Sequence, residues 1–275
     1  MEANNWLRQT EKPLFPELEW NKPERRNQAG RLLIIGGTTH ELNAPARAFE
    51  YARKNGIGDT KIALPDKTKK FVGATLPEAV FLPSTNSGEL SSEGSRELLE
   101  YTLWSDTLLL AGENGRNSQT TILFEELLRT FTGNAVITKD AIDILANHPE
   151  VLLKRPQTTL VVSFAQLQKL MQNFKNPTPL TFTMDLVKLV EFLVNFSKEH
   201  PVGIITQHQS QLLAAANGQV STTKLAAQQK QWRLHAASLA ACYTTWNPEK
   251  QFESLTESAF LFAKNSRTEV ADSEE

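Results

Sequence analysis

Leu32-Leu33-Ile34-Ile35-Gly36-Gly37-Thr38-Thr39-His40, residues 32–40, sets four consecutive large aliphatic residues against a double glycine. An apolar run without polar alternation fits a strand buried on both faces, the habit of parallel sheets. The glycines stop it. Residues 44–54 then read as a helix, with Asn43 placed to cap it and Pro45 in its first turn. The same alternation continues outward. Short apolar runs at 61–64, 79–82, 107–111, 135–138, 159–162 and 202–205 read as strands. Helical patterns at 92–105, 118–131, 141–147, 165–174 and 184–197 lie between them. Asn217-Gly218, flanked by 212–216 and 219–223, is the strongest short hairpin signal in the chain, and helices are expected over 225–244 and 252–264. The pattern predicts a three-layer α/β/α sandwich, with a mostly parallel central sheet, helices on both faces and a late edge hairpin.

No repeat or Pro/Gly/Ser linker interrupts residues 30–265, so a single α/β domain is expected there. Residues 1–29 read as an arm punctuated by Pro13, Pro16 and Pro23, with Trp6, Phe15, Leu18 and Trp20 as apolar anchors. It is expected to lie on the domain surface or on a partner subunit. Residues 266–275 read as an acidic, frayed tail. The 275 residues carry 29 basic and 31 acidic side chains, a net charge of −2, which argues against broad nucleic-acid binding. No apolar run reaches membrane-spanning length, and the opening Met1-Glu2-Ala3-Asn4-Asn5-Trp6 lacks a signal-peptide plan, so a cytoplasmic location is expected. A single cysteine, Cys242, excludes an internal disulfide framework, and the five histidines do not cluster at metal-ligand spacing.

In open α/β sheets ligands bind beyond the C-terminal ends of strands. Gly36-Gly37 stands at such an end, and the free amides of the following helix favour an anion, although a lone Gly-Gly also serves a plain turn. Gly112-Glu113-Asn114-Gly115-Arg116-Asn117-Ser118 has the same placement. Arg116 adds a fixed positive charge, and Asn117 or Ser118 is placed to cap a helix. It has neither the P-loop ending nor the dinucleotide glycine spacing, and a capped turn is an equal reading. Thr138-Lys139-Asp140-Ala141-Ile142-Asp143 ends a third strand, where Asp140 suits a helix cap, a metal-bound water or a ligand hydroxyl.

In their order these stretches resemble the NAD(P)H-hydrate dehydratase family of ribokinase-like fold. Gly36-Gly37-Thr38, Leu42-Asn43-Ala44-Pro45 and Gly56-Ile57-Gly58 match the family's opening Gly-Gly-Ser, Gly-Ala-Pro and Gly-Ala-Gly. Gly115-Arg116 keeps the end of Gly-Pro-Gly-Leu-Gly-Arg, and Asp140-Ala141 keeps the second aspartate of Asp-Ala-Asp-Ala-Leu-Asn. Other motifs depart. Ser163 and Gln166 stand for the histidine and glutamate of Thr-Pro-His-Pro-Gly-Glu. Ile205-Thr206-Gln207-His208 lacks the lysine of Leu-Lys-Gly. Gln231-Trp232-Arg233-Leu234-His235 replaces Gly-Thr-Gly-Asp, whose amides hold phosphate and whose aspartate is the base; Arg233 falls near that aspartate.

The resemblance implies a lyase of metabolite repair that uses ADP or ATP with Mg²⁺ to dehydrate NAD(P)H hydrate. It implies substrate contacts at Gly36, Gly37, Ala44, Gly115, Arg116 and Ser163, nucleotide contacts at His208 and Arg233, and catalytic positions at Asp140 and Arg233. No residue is assigned as a metal ligand, although Asp140, Asp143 and Glu113 are the acidic residues at strand ends that could stand near an Mg²⁺-nucleotide, and self-association of the kind common in the family is implied. An arginine attracts phosphate but is no base at neutral pH. Three readings therefore stand side by side: a dehydratase with a relocated base supplied by Asp140, Asp143 or His235, an inactive nucleotide-binding or regulatory pseudoenzyme, and a small-molecule kinase of ribokinase type.

Overall fold

A computed structural model describes residues 5–225 and 232–271. The elements run β1 (Trp6–Gln9), α1 (Glu17–Trp20), β2 (Arg31–Gly36), α2 (Asn43–Asn55), β3 (Asp59–Pro65), α3 (Lys69–Val72) and β4 (Ala79–Leu82). There follow α4 (Ser95–Trp104), β5 (Thr107–Gly112), α5 (Ser118–Thr130), β6 (Asn134–Thr138), α6 (Asp140–Leu145), α7 (Pro149–Leu153), β7 (Thr158–Val162) and α8 (Phe164–Asn173). The chain closes with α9 (Leu186–Glu199), β8 (Val202–His208), β9 (Gln211–Ala216), β10 (Gln219–Lys224), α10 (Trp232–Trp246) and α11 (Gln251–Ala271). One sheet orders them β1-β10-β9-β8-β7-β6-β5-β2-β3-β4, and only β9 runs against the rest.

The aliphatic runs behave as parallel strands should, with Leu32, Leu33, Ile34 and Ile35 all fully buried. Leu33 and Ile35 belong to the apolar layer on one face of the sheet, with Phe124 and Leu127 of α5 and Leu189 of α9. Leu32 and Ile34 belong to the layer on the other face, with Ala48 of α2, Leu239 of α10 and Phe262 of α11, and α2 and α10 lie over β2 itself. Two apolar layers thus sandwich the sheet. After β2 the chain winds outward to β3 and β4, then returns to lay β5 on the other side of β2. This reversal is the topological switch point, where an open sheet leaves a crevice at its carboxyl end.

The hairpin forms at the other side of the sheet, and the arm adds β1 outside it in parallel register, Trp6 opposite Val220. The arm therefore lies on its own domain. Phe15 packs edge-on against Phe252, and Leu18 is fully buried. Trp20 is no anchor; it stands 87% exposed. The expected fraying from Ser266 is also corrected. Ser266 is buried, its hydroxyl donates to the Phe262 carbonyl, and α11 continues to Ala271. Part of the helix expected from residue 225 falls on residues 226–231, outside the described residues, and Leu225 itself bonds back to the Ser210 carbonyl beyond β8. Among the described residues no helix is long and apolar enough to cross a membrane.

Candidate functional site

The crevice is built by glycines that let two strand ends touch. Gly37 N–H donates to the Gly112 carbonyl at 3.1 Å. A Cβ on Gly36 would lie 2.5 Å from that same oxygen, so only glycine fits there. Gly112 has φ +102°, and a Cβ on it would meet Lys139 Cβ at 2.7 Å. The ends of β2, β5 and β6 are thereby drawn together.

Asp140 then fastens them. Its N-capping role is not realised, because it is already the first residue of α6, behind Lys139. Its carboxylate turns back to the β5 turn. There Glu113 N–H donates to Oδ1 at 2.6 Å and Asn114 N–H to Oδ2 at 2.7 Å. Glu113 reaches on to α2. Ala44 N–H donates to Glu113 Oε2 at 2.8 Å, and Lys139 Nζ pairs with Oε1 at 3.3 Å. Asn43, expected as the cap of α2, instead accepts from Arg47 Nε at 3.1 Å. Asn117 does cap α5, accepting from Gln119 N–H at 3.0 Å.

On the far side of the crevice, Ser163 and Gln166 form a reciprocal capping box at the start of α8. Gln166 Nε2 donates to the Lys139 carbonyl and to Asp143 Oδ2, both at 2.7 Å. Its Oε1 accepts from Arg233 Nη1 at 2.6 Å. Arg233, in the first turn of α10, is thus aimed into the crevice. Burial pulls the proton affinity of its guanidinium down, and the Asp143 and Asp140 carboxylates push it back up.

A cavity of about 530 Å³ opens here, lined by Gly115, Arg116, Asp140 and Arg233 of the expected site together with Glu113 and Asp143. Arg116 and Asp143 also line an adjoining cavity of about 430 Å³ that takes in Lys169. Gly36, Gly37, Ala44 and Ser163 are not among the residues lining either cavity; they act through the backbone junction at Gly112, the Glu113 carboxylate and the capping box just described. His208 stands apart. It is buried against Phe164, and its Nε2 donates to the Met184 carbonyl at 2.8 Å. His235 is also outside the crevice. It stacks on Tyr51 with centroids 4.3 Å apart and meets Phe262 edge-on. Trp232, one residue before Arg233, is buried in the apolar layer with α2 and α11. Gln231 lies outside the described residues.

Sequence reasoning missed Lys139, Glu41 and Lys169, which also face these cavities. Lys139 sits at φ +54°, a rare backbone state for a side-chain-bearing residue that no local motif announces. Among the described residues no group of three or more His, Cys, Asp or Glu side chains is placed to hold a metal ion. The geometry explains this. Both oxygens of Asp140 and both of Glu113 already accept from chain donors, while Asp143 keeps one oxygen loosely held, 4.0 Å from Lys169 Nζ, and Glu41 is exposed where it lines the cavity.

No protein-family model matches the chain. The bifunctional NAD(P)H-hydrate repair enzyme Nnr of Moorella thermoacetica is 31% identical over 125 residues, 45% of this chain and 24% of that enzyme. The enzyme of the same name from Gloeobacter violaceus is 28% identical over 134 residues, 48% of this chain and 25% of the relative. The matched stretch thus spans about a quarter of the length of these curated relatives. In three dimensions the chain is similar to a ribokinase-like superfamily protein of Enterococcus faecalis, with TM-score 0.68 and 14% identity over 96% of this chain and 88% of that one. It is also similar to the ADP/ATP-dependent NAD(P)H-hydrate dehydratase of Bacillus subtilis co-crystallized with ATP/Mg²⁺, with TM-score 0.64 and 13% identity over 95% and 89%. The fold is ribokinase-like, and the chain resembles the NAD(P)H-hydrate dehydratases both in part of its sequence and in its whole architecture.

Proposed function

We propose that this dehydratase-like chain is a nucleotide-binding protein that has given up the dehydration step. The observation that carries the reading is Arg233, held by Gln166 inside the crevice beside Asp140 and Asp143. It falls where the resemblance expects the aspartate that takes the hydroxyl proton. A guanidinium there attracts a phosphate of ADP, ATP or a nicotinamide dinucleotide, and it cannot accept a proton. Losing a general base costs about 10²–10⁴-fold in rate. Asp140 does not replace it, because both its oxygens serve backbone amides. His235 does not either, because it sits on the face of α10 that stacks on Tyr51 of α2.

One observation favours a second reading. Asp143 is exposed, lines both cavities and has one loosely held oxygen, so it is the carboxylate close to Arg233 with a position open to a substrate hydroxyl. In that reading the protein remains a dehydratase of hydrated NADH or NADPH, with Asp143 as a relocated base.

The test mixes the protein with hydrated NADH, Mg²⁺ and either ADP or ATP and follows the return of reduced-nicotinamide absorbance. Calorimetry of nucleotide binding runs in parallel. The binding reading expects nucleotide affinity that falls in Arg233→Met, with no absorbance recovery beside a working dehydratase control. Nucleotide-dependent recovery that vanishes in Asp143→Asn overturns it in favour of the second reading. Absence of any nucleotide binding at millimolar concentration sinks both.

A further inference from the structure

The arm borders a second cavity, of about 690 Å³, between itself and the helices α10 and α11. This cavity shares no lining residue with the crevice. Phe260 and Leu261 of α11 give it an apolar side, and Trp20, 87% exposed, stands on its lining. Among the described residues its charged lining is three carboxylates, Glu11, Glu19 and Glu257, and one ammonium, Lys264. None of the three carboxylates has an ion-pair partner among the described residues. Glu257 is the telling group, because it is only 5% exposed. Its Oε1 accepts from the Phe15 N–H at 2.8 Å, and its Oε2 has no hydrogen-bond partner among the described residues. Burial, aided by the nearby Glu17 and Glu19 carboxylates, pushes its proton affinity up. Glu19 uses Oε2 to accept from the Tyr243 hydroxyl at 2.8 Å and has its other oxygen to spare. A carboxylate withdrawn from water without a cation is costly, and a cation that reaches it relieves the cost. An exposed indole on the same lining favours the same charge, since its ring face attracts ammonium groups.

We infer that this cavity binds a polyamine, a flexible chain of ammonium groups joined by methylenes. Its ammonium groups donate to the spare oxygens of Glu257 and Glu19 and to the Glu11 carboxylate. Its methylenes lie on Phe260 and Leu261, and the Trp20 ring covers one charge. An inorganic divalent cation would answer the charge but not the apolar side, so the cavity selects the organic one. The inference is independent of the crevice and of both readings of its chemistry.

The test titrates the full chain with spermidine by calorimetry at about 0.15 M salt, where diffuse surface attraction is screened. A single saturable site is expected, and Mg²⁺ at the same concentration should not displace the ligand. Glu257→Gln keeps an acceptor for the Phe15 N–H and is expected to weaken binding at least about tenfold. Trp20→Ala should weaken it roughly threefold and abolish the tryptophan fluorescence change on binding. Glu249→Gln, which takes the same charge from an exposed position between α10 and α11, should leave affinity unchanged, as should Arg233→Met in the crevice. Should Glu257→Gln lose its cooperative unfolding, Glu11→Gln takes its place, with a loss of about threefold expected. Binding that Mg²⁺ abolishes, binding that Glu249→Gln weakens as much as the cavity variants do, or no saturable binding up to roughly 10 mM spermidine overturns the inference.

Discussion

Two partly buried arginines stand at opposite ends of the sheet, and their surroundings differ. Arg155, just before β7 at the closed end, donates to the carbonyls of Leu128, Phe131, Gly133 and Pro156 at 2.6–3.0 Å and to the Thr158 hydroxyl at 3.0 Å. Burial pulls its proton affinity down to about 10, still fully charged at neutral pH. Arg233, at the open end, has one side-chain partner among the described residues, the Gln166 amide oxygen. A guanidinium carries five N–H donors. Where the chain fills them all, the arginine is a strut tying loops together. Where it fills one, at a residue that lines a cavity, the proposed reading gives the remaining donors to a ligand. The contrast separates structure from function more sharply than residue type does.

Several measurements would break or sharpen that contrast. The largest effect is expected from Arg155→Met, which leaves at least four carbonyls short of a donor. Urea unfolding should show a loss of about 3–5 kcal/mol, and a loss below about 1 kcal/mol would mean Arg155 is no strut. A third buried basic group comes next. Burial, with a smaller push from Lys54, lowers the His235 imidazole to about 4. The unfolded chain therefore takes up the proton more readily than the folded one. This contribution is full above about pH 6.5 and declines as pH falls toward about 4, by up to roughly 3 kcal/mol. The difference between parent and His235→Phe unfolding across that window isolates it, and a flat difference would refute it. Arg233→Met should change stability by less than about 1 kcal/mol yet weaken ADP binding at least tenfold, about 1.4 kcal/mol. If its stability falls as far as that of Arg155→Met, the two arginines do the same job. The smallest effect belongs to Ser163→Ala, about 1 kcal/mol of lost cap with unchanged nucleotide affinity. A tenfold affinity loss would instead put that hydroxyl on the ligand.

The sheet was legible because its strands are buried on both faces, so Leu32–Ile35 and the runs like it needed no partner information to be read. The crevice was legible where backbone chemistry demands a residue type, as at Gly36 and Gly112. It was not legible where a side chain works across the sheet. Asp140 reads as a local helix cap, and only three dimensions turn its carboxylate toward amides 26 and 27 residues away. His208 follows a strand and so reads as a ligand contact, yet the segment before α9 supplies the Met184 carbonyl that occupies it. Trp232 and His235 read as residues at a ligand-facing helix start, but α10 packs both against the layer made by α2 and α11. The arm hid its strand because Trp6–Gln9 is short, and its partner, β10, lies more than 200 residues later.

That last pairing sets a clock on biogenesis. Trp6 finds Thr222 across 216 residues, and Gln9 finds Thr223 and Thr256 across 214 and 247. On a ribosome adding about 5–20 residues per second, the first strand waits roughly 10–50 s for its neighbour to be made. Through that interval β10's outer edge does not exist, and the aromatic residues of the arm have no native surface to cover. The edge of the sheet is thus sealed last by a segment made more than 200 residues before its partner. A nascent chain that stalls before β10 would present Trp6, Phe15 and Leu18 to the cell's chaperones rather than to its own core.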